Sequence, residues 1–196
     1  MHPPCWKRRE KDVPRGELER QTNVPARKSG ATLAQVPGAP VYLTSIRTYL
    51  ARLGEHIVEG RGLLLWGPYR SGKSSLAACV LREVYRHRCP AFWIEAFELV
   101  DLWRAEGADD ERRDEFRGSP FVVVDDIGTE GSQEWRKEVL VQALRFRLER
   151  AGATIVTTNL PLDGLQQIYG AKFMALLQEC LMPIHVEGVN WNARTA

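Results

Sequence analysis

From Tyr42 onward the apolar positions Tyr42, Ile46, Tyr49, Leu50, Leu53 and Ile57 recur every three or four residues. That spacing predicts one amphipathic helix, closed by Gly60 and Gly62. Short apolar runs then alternate with longer helical patterns. Leu63–Trp66 precedes a helix to about His87, Ala91–Ile94 precedes one around Phe97–Glu106, and Phe121–Val124 precedes one from about Gln133 to Ala151. Thr154–Thr157 leads into helical segments reaching about Glu179, and Ile184 and Val186 then alternate with His185 and Glu187 as in a strand with one exposed face. Strands alternating with helices imply parallel pairing through right-handed crossovers, hence an α/β sheet covered on both faces.

The first 38 residues lack this pattern. Residues 1–30 carry Lys7, Arg8, Arg9, Lys11, Arg15, Arg20, Arg27 and Lys28 against four acidic residues, a net +4, whereas the whole chain of 196 residues is only +2. Three prolines before position 15, together with Pro25 and the Gly and Pro residues at 30–40, argue against a packed core there. The expected organisation is a flexible basic arm over 1–38 and a globular core over 39–196. No apolar run approaches the roughly 18 residues of a membrane helix, and no secretory signal is apparent, so a cytoplasmic protein without membrane contact is expected. Cys5, Cys79, Cys89 and Cys180 form no C-x-x-C pair, and reduced thiols are expected.

Chemistry collects where the strand-like runs end. Gly67-Pro68-Tyr69-Arg70-Ser71-Gly72-Lys73-Ser74, followed by Ser75, satisfies G-x-x-x-x-G-K-[ST] between a strand and a helix. Loop N–H groups and the positive helix end would cradle phosphates, Lys73 would add an ammonium, and the Ser74 hydroxyl would ligate Mg²⁺. At an average Gly usage of about 7%, the pattern arises by chance in fewer than about one such chain in a hundred. Phe121-Val122-Val123-Val124-Asp125-Asp126 ends a buried strand in two carboxylates. The first suits the metal's hydration shell, and the second suits polarisation of an attacking water. Thr154-Ile155-Val156-Thr157-Thr158-Asn159 places a side-chain amide in the same position. Open α/β sheets bind ligands outside the carboxyl ends of their strands, so Lys73, Asp125 and Asn159 are expected to converge. No N-K-x-D segment occurs, which leaves ATP rather than GTP as the expected nucleotide.

With these strings in place, the chain resembles the helicase-loader ATPases of the DnaC and IstB type, a branch of the AAA+ superfamily close to the replication initiator DnaA. The resemblance runs from about Thr22 to Asn192. Its most specific parts are Asp125-Asp126-Ile127-Gly128-Thr129-Glu130 and Thr157-Thr158-Asn159-Leu160 behind the phosphate loop. It implies a three-layer P-loop fold of the additional-strand type, with a five-stranded parallel sheet in the order 5-1-4-3-2 and a minimal C-terminal lid. It also implies Lys73 and Ser74 on nucleotide and Mg²⁺, Asp125 as the Walker B aspartate, Asp126 activating water and Asn159 sensing the γ-phosphate. Arg147 matches an arginine often kept before the sensor strand, a candidate trans or sensor residue or else a solvated helix charge.

Two departures bear on activity. Arg70 stands where the family usually has Gly, so a left-handed backbone there would be strained. Over Gly170–Glu179 the family's finger arginine is replaced by Leu176, with Lys172 at an earlier arginine position, and neither replaces a guanidinium fork. Slow hydrolysis, or a nucleotide-gated binding module, is therefore expected beside the leading reading. That reading is an ATPase that loads or remodels a replicative DNA helicase, as a homo-oligomer with ATP between subunits. A transposition helper acting with a transposase is the alternative. For single-stranded DNA, residues 101–118 are unconvincing, with four arginines against seven acids. The helix from Gln133 is mixed in charge, and Trp6, Lys7, Arg8 and Arg9 are the best candidates for contact with DNA or a partner.

Overall fold

All five apolar runs become strands of one parallel sheet. In the computed structural model, which describes residues 13–36, 40–104, 110–131 and 133–187, they are β1 (Gly62–Trp66), β2 (Ala91–Glu95), β3 (Phe121–Ile127), β4 (Ala153–Thr158) and β5 (Leu181–His185). The order β2-β3-β4-β1-β5 is the expected 5-1-4-3-2 read from the other edge. Every pairing is parallel, with Trp66 opposite both Thr158 and His185, and Ile127 opposite Thr158. The carboxyl ends of β1, β3, β4 and β5 therefore meet at one rim.

One face of the sheet carries α1 (Arg15–Thr22), α2 (Ala26–Ser29), α3 (Val41–Ala51), α4 (Leu53–Glu59) and α5 (Lys73–Arg86). The other carries α6 (Ala96–Arg104), α7 (Asp110–Gly118), α8 (Glu134–Leu148), α9 (Leu162–Tyr169) and α10 (Ala171–Cys180). Strand alternation divides the side chains between two cores. Leu63, Leu65, Phe121, Val123 and Ile155 pack with the first set, and Leu64, Val122, Val124 and Val156 with the second. Because both faces are covered, the central strands read as unbroken apolar runs. At the edge, β5 keeps the predicted alternation, with Ile184 and Val186 buried and His185 and Glu187 exposed.

Three expectations need correction. The helix predicted over Tyr42–Ile57 is two helices, because Arg52 leaves helical geometry at φ −118°. Across this break His56 stacks on Tyr49 at 4.5 Å, and the Tyr49 hydroxyl donates to the Arg61 carbonyl at 2.9 Å. Cys79 and Cys180 are free thiols, but Cys89 is disulfide-bonded.

The third correction concerns the arm. Residues 13–36 belong to the packed domain: Leu18 is completely buried, and Val13, Val24 and Val36 join the same core. Arg82 of α5 donates to the Ser29 carbonyl at 3.0 Å and the Val13 carbonyl at 2.9 Å. Asn23 donates to the Trp93 carbonyl at 3.2 Å, covering the outer edge of β2. Pro14 and Pro25 sit just ahead of the first residues of α1 and α2, where a missing N–H costs nothing. They begin helices here. Residues 1–12 and 188–196 lie outside the described residues, and with them Trp6, Lys7, Arg8 and Arg9.

Leu18→Ala is expected to destabilise the domain by about 2–4 kcal/mol, the usual cost of emptying a fully packed leucine site. Urea unfolding followed by circular dichroism checks this, and an unchanged midpoint would mean that the segment does not contribute to the core.

Candidate nucleotide-binding site

The phosphate loop is built at the end of β1. Gly67 has φ 147°, and a Cβ there would lie 2.4 Å from the Val186 carbonyl oxygen, so the chain leaving β5 packs directly on the loop. Arg70 is held at φ 62°, the strain foreseen from its sequence, which costs roughly 1–2 kcal/mol in a non-glycine residue. Its side chain lies outside the cradle, with the guanidinium 5.8 Å from the exposed Tyr69 ring. Gly72, at φ 98°, starts α5 without a side-chain cap, and the Leu76 N–H makes the first helical bond back to Gly72 at 2.9 Å. The N–H groups of Lys73, Ser74 and Ser75 therefore open toward the loop, with the positive end of the helix dipole behind them.

Lys73 is almost wholly buried in this loop. Its ammonium donates to the Gly67 carbonyl at 3.1 Å, the Pro68 carbonyl at 2.8 Å and the Ser71 hydroxyl at 3.3 Å. Burial holds its pKa below the ordinary lysine value, while the charges of Asp126 and Asp125 oppose that shift.

Asp125 has no solvent exposure. Its Oδ1 accepts from the Thr157 hydroxyl at 2.6 Å, and its Oδ2 accepts from the Lys28 ammonium at 2.5 Å. Asp126 follows at φ 59°, where the register of β3 against β4 shifts between Val124 and Ile127. This irregularity departs from strict strand alternation, so that two successive carboxylates both act on Lys73. The Asp126 N–H donates to Thr157 Oγ1 at 2.9 Å, and Asn159 Nδ2 reaches Asp126 Oδ1 at 3.4 Å. Burial first, and then the Asp125 charge, push the Asp126 carboxyl above its ordinary pKa. Lys73, Asp125, Asp126 and Asn159 thus converge at one rim, as the strand order required.

These groups fit a magnesium nucleoside triphosphate. The first-turn N–H groups and Lys73 would hold phosphates, and the Ser74 hydroxyl and Asp125 would hold the metal. The fit is visible in Asp125 itself, whose Oδ2 already carries a cation in the form of Lys28. Bound there, the metal nucleotide supplies a reactive γ-phosphoryl group and neutralises its developing charge.

Three further residues shape the site. Thr157 joins the Asp125 carboxylate to the Asp126 backbone N–H through one hydroxyl, and its place two residues before Asn159 in the Thr-Thr-Asn string was the available signal. Glu130, buried, accepts from the Gly128 N–H at 2.8 Å and from the Tyr169 hydroxyl, tying the loop after β3 to α9. Burial and this bond raise the Tyr169 pKa well beyond its usual value. Lys28 was counted only as part of a basic arm, and nothing local in the sequence marks it.

Arg147 does not belong to the site. It is 2% exposed and donates to the carbonyls of Phe116, Ser119 and Ala153 and to the Thr154 hydroxyl, at the opposite, amino ends of β3 and β4. It is a structural clamp, and burial lowers its pKa to about 9. Lys172 is exposed on α10, while Leu176 is partly buried against the core. Most other basic residues considered for DNA are paired locally. Arg136 meets Asp101 at 3.2 Å, Lys137 meets Glu134 at 3.0 Å, Arg145 meets Glu149 at 3.2 Å and Arg112 meets Glu98 at 3.8 Å.

Sheet order, uncapped glycine loop and paired strand-end carboxylates together define a P-loop ATP-binding protein of the AAA+ type. The chain belongs to the IstB-like ATP binding protein family, whose match spans residues 46–192. It is similar to the replicative helicase loader DnaI of Bacillus subtilis (strain 168), 24% identical over 181 residues that cover 82% of this chain and 58% of that protein. The chain thus spans little more than half the length of this relative. Among solved structures, the DnaC helicase loader superposes with a TM-score of 0.72 at 23% identity, covering 82% of this chain and 98% of that one. AMPPCP-bound DnaA from Aquifex aeolicus superposes with a TM-score of 0.60 at 14% identity, covering 80% and 50%. Among the described residues, no helix is long and apolar enough to cross a membrane.

Two outcomes follow from this geometry. Arg147→Ala leaves several buried carbonyls without donors and should cost about 2–4 kcal/mol. In a melting experiment it should lower Tm by several degrees and leave nucleotide affinity intact. Asp126→Asn should raise Tm of the nucleotide-free protein near pH 7.5, because burial and the Asp125 charge penalise the ionised carboxylate in the folded state. A raised acid destabilises above its folded pKa, so the gain should shrink on acidification toward the ordinary carboxylate value of about 4. A gain constant across that range would assign the effect to backbone conformation at Asp126.

Proposed function

We propose that this protein is a Mg²⁺-dependent ATPase that loads or remodels a replicative DNA helicase. The observation carrying the reading is the convergence of Lys73, Asp125, Asp126 and Asn159 at the uncapped start of α5. The likeness to a helicase loader supports the choice of partner. In this reading Lys73 and the loop N–H groups bind the β- and γ-phosphates, and Ser74 and Asp125 organise the metal. Asp126 takes a proton from the attacking water, for which its raised pKa is suited, and Asn159 orients that water or reads the γ-phosphate. Leu176 offers no guanidinium, so fast turnover requires an arginine from the partner or from another part of a homo-oligomer. Lys172 is the basic group of α10 available to act on a neighbouring subunit.

A second reading, a transposition helper, is favoured by the family to which the chain belongs. Both readings share the same nucleotide chemistry and differ in what is bound.

Lys73→Ala should weaken ATP binding by about a hundredfold, the scale of a lost charged phosphate contact. Asp126→Asn should retain ATP but lose turnover by about 10²-fold or more. The ATP-trapped Asp126→Asn protein, incubated with purified replicative helicase, should co-elute with it in Mg·ATP. Co-elution with a transposase and not with helicase would establish the second reading, and unchanged ATP affinity in Lys73→Ala would overturn both.

A further inference from the structure

Lys28 is a basic residue of the amino-terminal segment that reaches the buried carboxylate pair. The segment's other ties run to α5, the turn after it and β2. Arg82 holds the Ser29 and Val13 carbonyls, Tyr85 and Arg88 donate to Glu17 at 2.9 Å and 2.6 Å, and Asn23 holds the Trp93 carbonyl. Within it the Ser29 hydroxyl donates to Glu19 at 2.5 Å, which fixes α2 against α1. From this platform the Lys28 ammonium lies 5.1 Å from the centre of the Trp93 ring and 2.5 Å from Asp125 Oδ2. Its charge also acts on Asp126 and on Glu95 at the end of β2.

Asp125 has two oxygens, and Thr157 takes one of them. The other is therefore the atom through which Asp125 would meet a metal or its hydration water, and Lys28 holds it. An ammonium and a divalent cation cannot share that oxygen closely without strong like-charge repulsion in a buried setting. Of the two, only the ammonium is covalently part of the chain, on the four-residue helix α2 beside exposed residues of the segment.

We propose that Lys28 is an internal stand-in for the metal: it neutralises Asp125 when nucleotide is absent, and Mg·ATP expels it, so that the segment around α2 reports the nucleotide state on the protein surface. The proposal rests on the Mg·ATP reading of the site. It makes two distinct demands. Removing the ammonium should favour the metal nucleotide specifically, and displacement should loosen the segment that carries it.

The test compares wild type, Lys28→Met and Lys28→Arg by titration with a fluorescent ATP analogue, in Mg²⁺ and in EDTA, and by hydrogen exchange over residues 24–36. Lys28→Met should bind the analogue about tenfold tighter than wild type in Mg²⁺ and within about twofold of it in EDTA. Lys28→Arg, which keeps the ion pair, should stay near wild type. In wild type, Mg·ATP should speed exchange in the segment, whereas in Lys28→Met exchange should start fast and not change. Equal or weaker Mg·ATP binding by a folded Lys28→Met, or a wild-type segment indifferent to Mg·ATP, overturns the stand-in role. Should Lys28→Met fail to fold, the wild-type exchange result decides alone. If wild type binds no analogue in either buffer, the nucleotide reading itself fails.

Discussion

A carboxylate with no solvent exposure must be neutralised by its surroundings, and much of this site consists of that neutralisation around Asp125. Thr157 donates a short hydrogen bond to one oxygen, Lys28 supplies charge to the other, and the buried Lys73 ammonium adds its field. Each of these groups comes from a different part of the chain: β4, α2 and the start of α5. Only a parallel sheet with β4 between β1 and β3 brings them to one point. At Asp126, burial first and then the charge of Asp125 raise the carboxyl's proton affinity.

The fold was largely legible because its signals are collective. Five apolar runs separated by helical periodicity leave few alternatives to a covered parallel sheet, and each run became a strand within a few residues of its predicted bounds. The loop from Gly67 to Gly72, the carboxylates and Asn159 were legible for a different reason: phosphate and metal chemistry demands particular residue types at fixed spacing. Even the strained backbone at Arg70 was readable from a missing glycine.

What stayed hidden depends on contacts between residues far apart in sequence. Lys28 and Asp125 are 97 positions apart, and a lysine in a polar, proline-punctuated segment looks like any solvated charge. Leu18 sits in a short helix of mostly polar residues with too few turns to display periodicity, so α1 was taken for an unstructured arm. Arg147 shows the reverse error. Its helix reads as exposed and mixed in charge, but the side chain turns inward to collect carbonyls at the amino ends of the strands. Local pattern cannot distinguish a guanidinium that meets solvent from one that replaces it with backbone oxygens.

The covering of the sheet's outer strands has a consequence for how this domain can be approached. At β2, Asn23 already takes the Trp93 carbonyl, and at β5, Pro183 has no N–H to offer. Neither border is a good template for another strand, so recruitment by sheet extension is disfavoured. Recognition falls instead to helical faces and loops. Such surfaces can shift by small rigid movements without breaking a hydrogen-bonded ladder.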